Sequence, residues 1–399
     1  MATFSVRFLG CKVSYADTQA LRERLLADGH AEVAGAGDVA VVNTCCVTHE
    51  AVAKSRKEAV RAARTHARVY VTGCGASLGG GAFAGLPESI VVVPRRSEET
   101  AAFVAGDVGA IGCVQAGARL DRVRAFVKIQ DGCSFSCAFC VIPLVRGATR
   151  SRPAAAVLAE IGRRVAQGHR EIVLTGVNLG CFRDREARYS LPRLIREAGA
   201  IPGVERLRLS SLEINHVSDE LVAALRGTPA ACRHLHVPLQ SGDDRVLAEM
   251  GRRYTVADYL KKLEPLTDFN LTADAIVGFP AEDGAAFERT LDVVSQARLT
   301  KVHVFPYSPR PGTATALRDA VPPEVKRERG ARLRALSDAA CRERWCEKIG
   351  AEDVVLIDRP GRGYGADYTP WLLPGPVGEL VRARAAAVTE EGILAVSDV

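Results

Sequence analysis

The sequence predicts an α/β protein in three parts: an N-terminal parallel-sheet α/β domain, a central partial (β/α)6 barrel and a small C-terminal β-barrel. Three observations predict it. The first hundred residues repeat one unit three times, an apolar run ending in cysteine followed by a helix-like stretch. From residue 125 to about 305, β-rich runs and helical stretches alternate six times, two units short of a closed barrel. Beyond Gly350 the pattern changes to short β runs separated by Gly and Pro. A chain of 399 residues also exceeds one ordinary core. Domains are expected at 1–117, 120–349 and 350–399.

In the first part the runs are Phe4–Cys11, Val39–Cys45 and Arg68–Cys74. Read as parallel strands, they place Cys11, Cys45 and Cys74 at one edge, beyond the carboxyl ends where such sheets gather ligands. Singly, each is an ordinary buried thiol. Three at equivalent positions point to a shared three-thiolate site. Cys46 points away from Cys45 in an extended segment, so Cys45 is taken as the ligand. The next helix, read from Glu50 to His66, carries Lys54, Lys57, Arg61 and Arg64 on one face. That face suits phosphate, although on charge alone a solvated face is favoured. A linker is expected near Gly117–Leu120.

The barrel strands are read at Ala125–Gln130, Glu171–Thr175, Arg206–Ser210, His234–Val237, Ala273–Val277 and Val302–Phe305, with helices such as Pro153–Gln167, Asp219–Leu225 and Ala281–Ala297 between them. Their carboxyl ends, where barrels keep their working groups, carry Thr175–Asn178, Ser210–Glu213, Pro238–Gly242 and Gly278–Pro280. Cys113, Cys181, Cys232, Cys341 and Cys346 share no such placement and read as structural thiols. Pro322–Lys348 is a charged helix. The final part has four Arg against eight Asp and Glu from Glu352 onward, a poor surface for phosphate.

Composition narrows the class. The chain is 47% hydrophobic with mean hydropathy near zero, and no window of about 18 uncharged apolar residues suggests a membrane span. The N-terminus lacks a signal-peptide layout, so a cytoplasmic protein without membrane attachment is expected. Twelve cysteines in that compartment argue for metal or cluster ligation over disulfides. A net charge of +6 is compatible with a polyanionic partner.

The chemistry centres on Asp131–Arg152, DGCSFSCAFCVIPLVRGATRSR, with Cys133, Cys137 and Cys140 at spacing C-x3-C-x2-C. Three thiolates can hold three irons of a four-iron cube, leaving one iron open to a small molecule. Zinc is the first rival, but no second cysteine pair follows nearby. A Cys137/Cys140 redox pair is the second, and it leaves Cys133 without a role.

This loop, with Phe139 before its last cysteine, resembles the signature of radical S-adenosylmethionine enzymes. With GCKVS, NTC, TGC, KIQDGC, EIVLTGVN, RLRLSSLE, HLHVPLQSG, ADAIVGFP and VFPYSPRPGT, the whole chain resembles the tRNA methylthiotransferases, which join a cluster domain, a radical barrel and a C-terminal TRAM domain. GCKV, KIQDGC and YSPRPGT are most similar to the branch acting on N6-threonylcarbamoyladenosine beside the tRNA anticodon. The resemblance implies two 4Fe-4S clusters, on Cys133, Cys137, Cys140 and on Cys11, Cys45, Cys74. At the first, S-adenosylmethionine is cleaved to a 5′-deoxyadenosyl radical that takes hydrogen from C2 of the adenine. The second presents sulfur that a second S-adenosylmethionine methylates. It also implies an adenine pocket at Ile276, Val277 and Gly278, cosubstrate contacts at Phe139, Ser210, Glu213 and Gln240, and Arg146, Arg150 and Arg152 on cosubstrate or RNA. Partners would be tRNA, an electron-donor protein and a sulfur source.

The chain departs from the pattern at Ser14 (commonly Asn), Cys46 (usually Thr), Ala281 (Gly expected) and in VVPRRSEE, which lacks the usual Gly-Asn. None removes a ligand. Two other readings stay open: the same chemistry on N6-isopentenyladenosine or on a ribosomal-protein aspartate, and a non-enzymatic, metal-stabilised RNA-binding protein.

Overall fold

The computed structural model describes residues 2–79, 81–94, 97–108 and 122–396. The linker read at Gly117–Leu120 and Cys113 lie outside them. Two compact units result. One comprises Met1–Arg119, Asp131–Arg150 and Ser308–Ala316, and the other Leu120–Gln130, Ser151–Tyr307 and Leu317–Val399.

The first unit holds a five-stranded sheet of β1 (Thr3–Phe8), β2 (Ala31–Glu32), β3 (Gly37–Thr44), β4 (His66–Gly73) and β5 (Ile90–Val92), ordered β2-β1-β3-β4-β5 and parallel throughout. The β-branched runs around Val39–Val42 and Val69–Val71 are buried on both faces, as a helix-covered parallel sheet requires. Helices α1 (Lys12–Ala27), α2 (His49–Ala62) and α3 (Ser97–Val108) connect the strands. Helix α2 is shorter than the Glu50–His66 read from the sequence. His66 instead opens β4, with Nε2 2.8 Å from the buried Ser5 hydroxyl and Nδ1 3.1 Å from the Ala62 carbonyl. The β-rich Val69–Val71 run claims the chain before the helix can continue.

In the second unit the strands are β6 (Arg124–Lys128), β7 (Glu171–Thr175), β8 (Arg206–Leu209), β9 (His234–His236), β10 (Asn270–Val277) and β11 (Lys301–Pro306), all parallel. They form two three-stranded halves, joined by bridges at Leu207/Ala231 and Ser211/His236. This is the partial (β/α)6 barrel expected. Alternate side chains, among them Ile172, Leu174, Leu207, Leu235, Ala273 and Val302, build the outer core. The opposite, inner face is polar, carrying Glu171, Arg208, His236, Asp274 and His303.

A closed C-terminal barrel follows from β12 (Glu352–Arg359), β13 (Arg362–Tyr364), β14 (Pro370–Leu372), β15 (Leu380–Val388) and β16 (Ile393–Val396), ordered β12-β13-β14-β16-β15 around buried Trp371. It packs against the amino-terminal ends of the (β/α)6 strands. Arg124 donates to the Tyr368 hydroxyl at 2.8 Å and to Asp358 at 3.2 Å, Arg206 donates to the Tyr364 and Val354 carbonyls, and Asn270 donates to the Asp367 carbonyl at 2.8 Å. The Arg208 guanidinium lies 4.6 Å above the Tyr368 ring. The acidic domain thus closes the lower mouth of the (β/α)6 barrel, using main-chain carbonyls and tyrosine rings to receive arginines.

Glu171 anchors that floor. Its carboxylate is fully buried, 2.7 Å from Arg208 and 3.5 Å from Arg206. Burial alone would push the carboxyl up, but Arg208, with Arg124 and Arg206, holds it below the ordinary carboxylate range. The folded value is depressed, so the contribution is complete above the unfolded value and fades as pH falls through the folded one. Glu171→Gln is expected to cost about 3 kcal/mol by leaving buried guanidinium charge unpaired. Urea midpoints should give that loss at pH 7 and a difference between the two proteins that shrinks in acid.

Candidate active site

Cys11, Cys45 and Cys74 each follow the carboxyl end of a strand, β1, β3 and β4, neighbours in the sheet. Cys11 is the N-cap of α1 and leaves its thiol uncommitted as a cap. Gly73 makes the turn into Cys74 at φ +89, where a Cβ would lie 2.1 Å from the Asn43 side-chain oxygen and 2.7 Å from the Thr44 carbonyl. Burial pushes the Cys45 thiol up, and the charges of Cys74 and Cys11 add to it.

Cys46 is fully buried and packs with Cys74 in one small cluster. The neighbouring Cys46 thiol and the guanidinium of Arg146 draw the Cys74 thiol below its ordinary value despite burial, while the Cys46 thiol is pushed up. The 3.0 Å donation from Arg146 Nε favours Cys74 as thiolate, the form that binds metal. Val141, Val52, Leu78 and Val145 enclose the pair in apolar surface.

The loop with Cys133, Cys137 and Cys140 belongs to the same compact unit, and all three cysteines are half-buried. Local bonds shape it. The Cys133 amide donates to the Gly147 carbonyl at 3.0 Å, the Cys140 amide to the Cys137 carbonyl at 3.0 Å, and the Phe135 amide to the Cys133 sulfur at 3.4 Å. Ser134 and Thr149 each donate an amide to the other's hydroxyl at 3.1 Å. Gly132, at φ +68, is required by close approach, since a Cβ would lie 2.1 Å from the Ala148 carbonyl oxygen and 2.6 Å from that of Gly147. Backbone oxygens cannot step aside as a flexible side chain can. Gly132→Ala is expected to cost at least about 2 kcal/mol and to lower bound iron, as urea denaturation and iron analysis would measure.

Arg146 joins the two cysteine sets. It lies in α4 (Ile142–Arg146), directly after the loop, and is only 8% exposed. Its Nε donates to the Cys74 sulfur at 3.0 Å, one terminal nitrogen to Asp131 at 3.0 Å, and the other to Asp17 at 3.0 Å and the Ser14 hydroxyl at 3.3 Å. The departure Ser14 thus supplies one of its acceptors. The sequence placed Arg146, Arg150 and Arg152 on cosubstrate or RNA. Arg146 is instead spent on internal acceptors. Arg150 donates to the Arg146 and Ala148 carbonyls. Arg152, in the second unit, donates at 2.7 Å to both the Lys128 carbonyl and Glu160.

Lys54, Lys57 and Arg61 lie exposed on α2, Lys54 paired with Glu50 at 2.7 Å, and Arg64 falls beyond the helix end. Phe139 is half-buried beside Cys140. Missed in the sequence was Arg310, buried in the segment Ser308–Ala316. It donates to the Cys46 carbonyl at 3.4 Å, while Thr315 donates through its hydroxyl to the Ala138 carbonyl at 3.0 Å. One short segment therefore braces both cysteine regions. Its signal was the quoted YSPRPGT, for which chemistry offered no role.

In the second unit, the carboxyl ends of the barrel strands hold a different set. Ile276 and Val277 are buried, and Gly278 turns at φ +73 against the Lys326 stem. Gln240 is held at φ +66, its amide donating to the Asp274 carbonyl and its carbonyl accepting from the Ile276 amide. Glu213 is occupied by Asn215 and lies 3.6 Å from Arg252. Thr175 Oγ1, Asn178 Oδ1 and Ser210 Oγ are buried without a hydrogen-bond partner among the described residues. Such atoms ordinarily meet a ligand or water, so these strand ends fit a polar cosubstrate.

Comparison with known proteins agrees with this geometry. Residues 127–294 match the Radical SAM superfamily and residues 3–93 the Uncharacterized protein family UPF0004. A threonylcarbamoyladenosine tRNA methylthiotransferase, MtaB, of Thermotoga maritima is 34% identical over 99% of this chain and 96% of its own length. That of Bacillus subtilis is 36% identical over 86% and 82%. A tRNA-2-methylthio-N(6)-dimethylallyladenosine synthase of Cereibacter sphaeroides is 33% identical over 96% and 95%. Among solved structures, the radical S-adenosylmethionine methyltransferase TsrM of Kitasatospora setae shares the fold, with TM-score 0.59 and 14% identity over 79% of this chain and 75% of that one. No helix among the described residues is long and apolar enough to cross a membrane. Identity over nearly the whole length, together with the cysteine loop on a partial barrel, makes the chain a member of the radical S-adenosylmethionine tRNA methylthiotransferases, transferases of sulfur-containing groups.

Proposed function

We propose that the protein converts N6-threonylcarbamoyladenosine beside the tRNA anticodon to its 2-methylthio derivative, using two 4Fe-4S clusters and two molecules of S-adenosylmethionine. Cys133, Cys137 and Cys140 would hold one cluster and Cys11, Cys45 and Cys74 the other. The observation that carries this reading is the bond from Arg146, directly behind the first set, to the sulfur of Cys74 in the second. An open-iron cluster supplies low-potential electrons for splitting a sulfonium, since iron–sulfur potentials reach roughly −700 mV.

The chain's own groups do the rest. The apolar shell of Val141, Val145 and Leu78 keeps water from Cys74. Thr175, Asn178 and Ser210 offer buried polar atoms to the cosubstrate, and Ile276 and Gly278 an apolar wall with close backbone approach for its adenine. Exposed Lys54, Lys57 and Arg61 offer charge to the tRNA backbone. An electron-donor protein and a sulfur source are needed, and the cytoplasm is the compartment that fits. The names of the Thermotoga and Bacillus relatives support the substrate. Mass spectrometry of tRNA nucleosides from cells lacking the protein should find 2-methylthio-threonylcarbamoyladenosine gone. Its persistence would refute the assignment, and loss of 2-methylthio-isopentenyladenosine in its place would favour the substrate in the Cereibacter relative's name.

A further inference from the structure

We propose that His236, Asp274 and His303, on the inner face of the (β/α)6 barrel, bind one divalent transition-metal ion without any cysteine. They come from three adjacent parallel strands, β9, β10 and β11. Asp274 lies directly opposite His303, and His236 opposite Thr272, two residues earlier on the same face as Asp274. Their coordinating atoms all lie within 4.8 Å of one another. His236 Nε2 is 3.2 Å from Asp274 Oδ1, and the two imidazole rings are 5.5 Å apart between centroids. Ligands at the usual zinc bond lengths of about 2.1 Å sit roughly 3.4 Å apart around a tetrahedral ion. Small side-chain rotations on a fixed sheet reach that geometry.

The surroundings orient the set. Thr272 Oγ1 stands 2.9 Å from His236 Nδ1 and 3.2 Å from His234 Nε2. In the tautomer whose Nδ1–H donates to that hydroxyl, the lone pair of His236 Nε2 faces Asp274, two acceptors that a cation between them would resolve. Ligating histidines are commonly oriented by such an outer partner. Two imidazoles and a carboxylate suit zinc or a similar ion and leave coordination positions open. Those positions face the lumen, two residues below Ile276, or about 7 Å along the strand. They would accept an oxygen ligand from whatever enters the barrel.

The competing account is a plain His236–Asp274 ion pair, which needs no metal. To separate the two, the anaerobically reconstituted holoenzyme, its cysteines occupied by iron, is equilibrated with zinc and passed through gel filtration. The expected result is one zinc per chain, with only nitrogen and oxygen neighbours in zinc X-ray absorption. His303→Gln, at an exposed position, and Asp274→Asn should each weaken zinc binding at least about 10-fold, with iron content and circular dichroism unchanged. Absence of stoichiometric zinc, sulfur in its first shell, or full retention by both variants would overturn the site.

Discussion

Cys137→Ala is expected to abolish reductive cleavage of S-adenosylmethionine, whereas Cys74→Ala should leave cleavage running and stop methylthio transfer. The two variants remove one ligand from different three-thiolate sets. Each should lower bound iron from about eight to about four per chain, as cysteine-held cubes require. Neither change should unfold the protein. The Cys137 loop keeps its Cys133–Gly147 bond, its Ser134–Thr149 exchange and the Thr315 bond to Ala138. In Cys74→Ala, Arg146 keeps Asp17, Asp131 and Ser14. Iron analysis, 5′-deoxyadenosine release and nucleoside mass spectrometry read the three properties separately. Cleavage persisting in Cys137→Ala, or methylthiolated tRNA formed by Cys74→Ala, would sink the division of labour. A metal-stabilised RNA-binding protein predicts a third pattern, weakened RNA binding with no reaction to lose.

Much of this was legible because period and spacing report directly on backbone geometry. The barrel strand Glu171–Thr175 stands where its β-branched run places it, and the strand-end cysteines follow from the parallel βα repeat. What could not be read depended on pairs distant in sequence. Nothing local marks Arg146 as buried, because its acceptors Ser14, Asp17 and Cys74 lie more than seventy residues upstream. Arg310 reaches Cys46 across 264 residues. Cys46 itself was assigned by side-chain alternation, which holds within a strand. The strand ends at Thr44, and beyond it Cys46 packs against Cys74. The polar inner face of the barrel was likewise hidden. His236, Asp274 and His303 belong to three separate β runs, and only the register of the strands brings them level.

Arg146 offers the sharpest test of how the two cysteine sets depend on each other. Arg146→Ala leaves the buried Asp17 without its cation and Asp131 with only the Arg150 guanidinium, 3.9 Å away. Removing one partner of such a network costs roughly 3–5 kcal/mol, which a urea titration at neutral pH would register. It also removes the N–H that meets the Cys74 sulfur at 3.0 Å. Hydrogen bonds to cluster sulfurs stabilise the electron-rich reduced state. A cluster on Cys11, Cys45 and Cys74 should therefore become harder to reduce. Arg146→Lys divides the two effects. A lysine restores the positive charge between the carboxylates, but one ammonium cannot reproduce a planar fork that serves two carboxylates, a hydroxyl and a sulfur at once. Stability should largely return in the lysine variant while the reduction potential stays displaced. The potential is best followed by redox titration with electron paramagnetic resonance, in a background where Cys133, Cys137 and Cys140 are alanines. A lysine variant matching the wild type in potential would reduce Arg146 to a structural ion pair. A displaced potential in both variants would mean that the residue behind the radical cluster's loop tunes the sulfur of the other site.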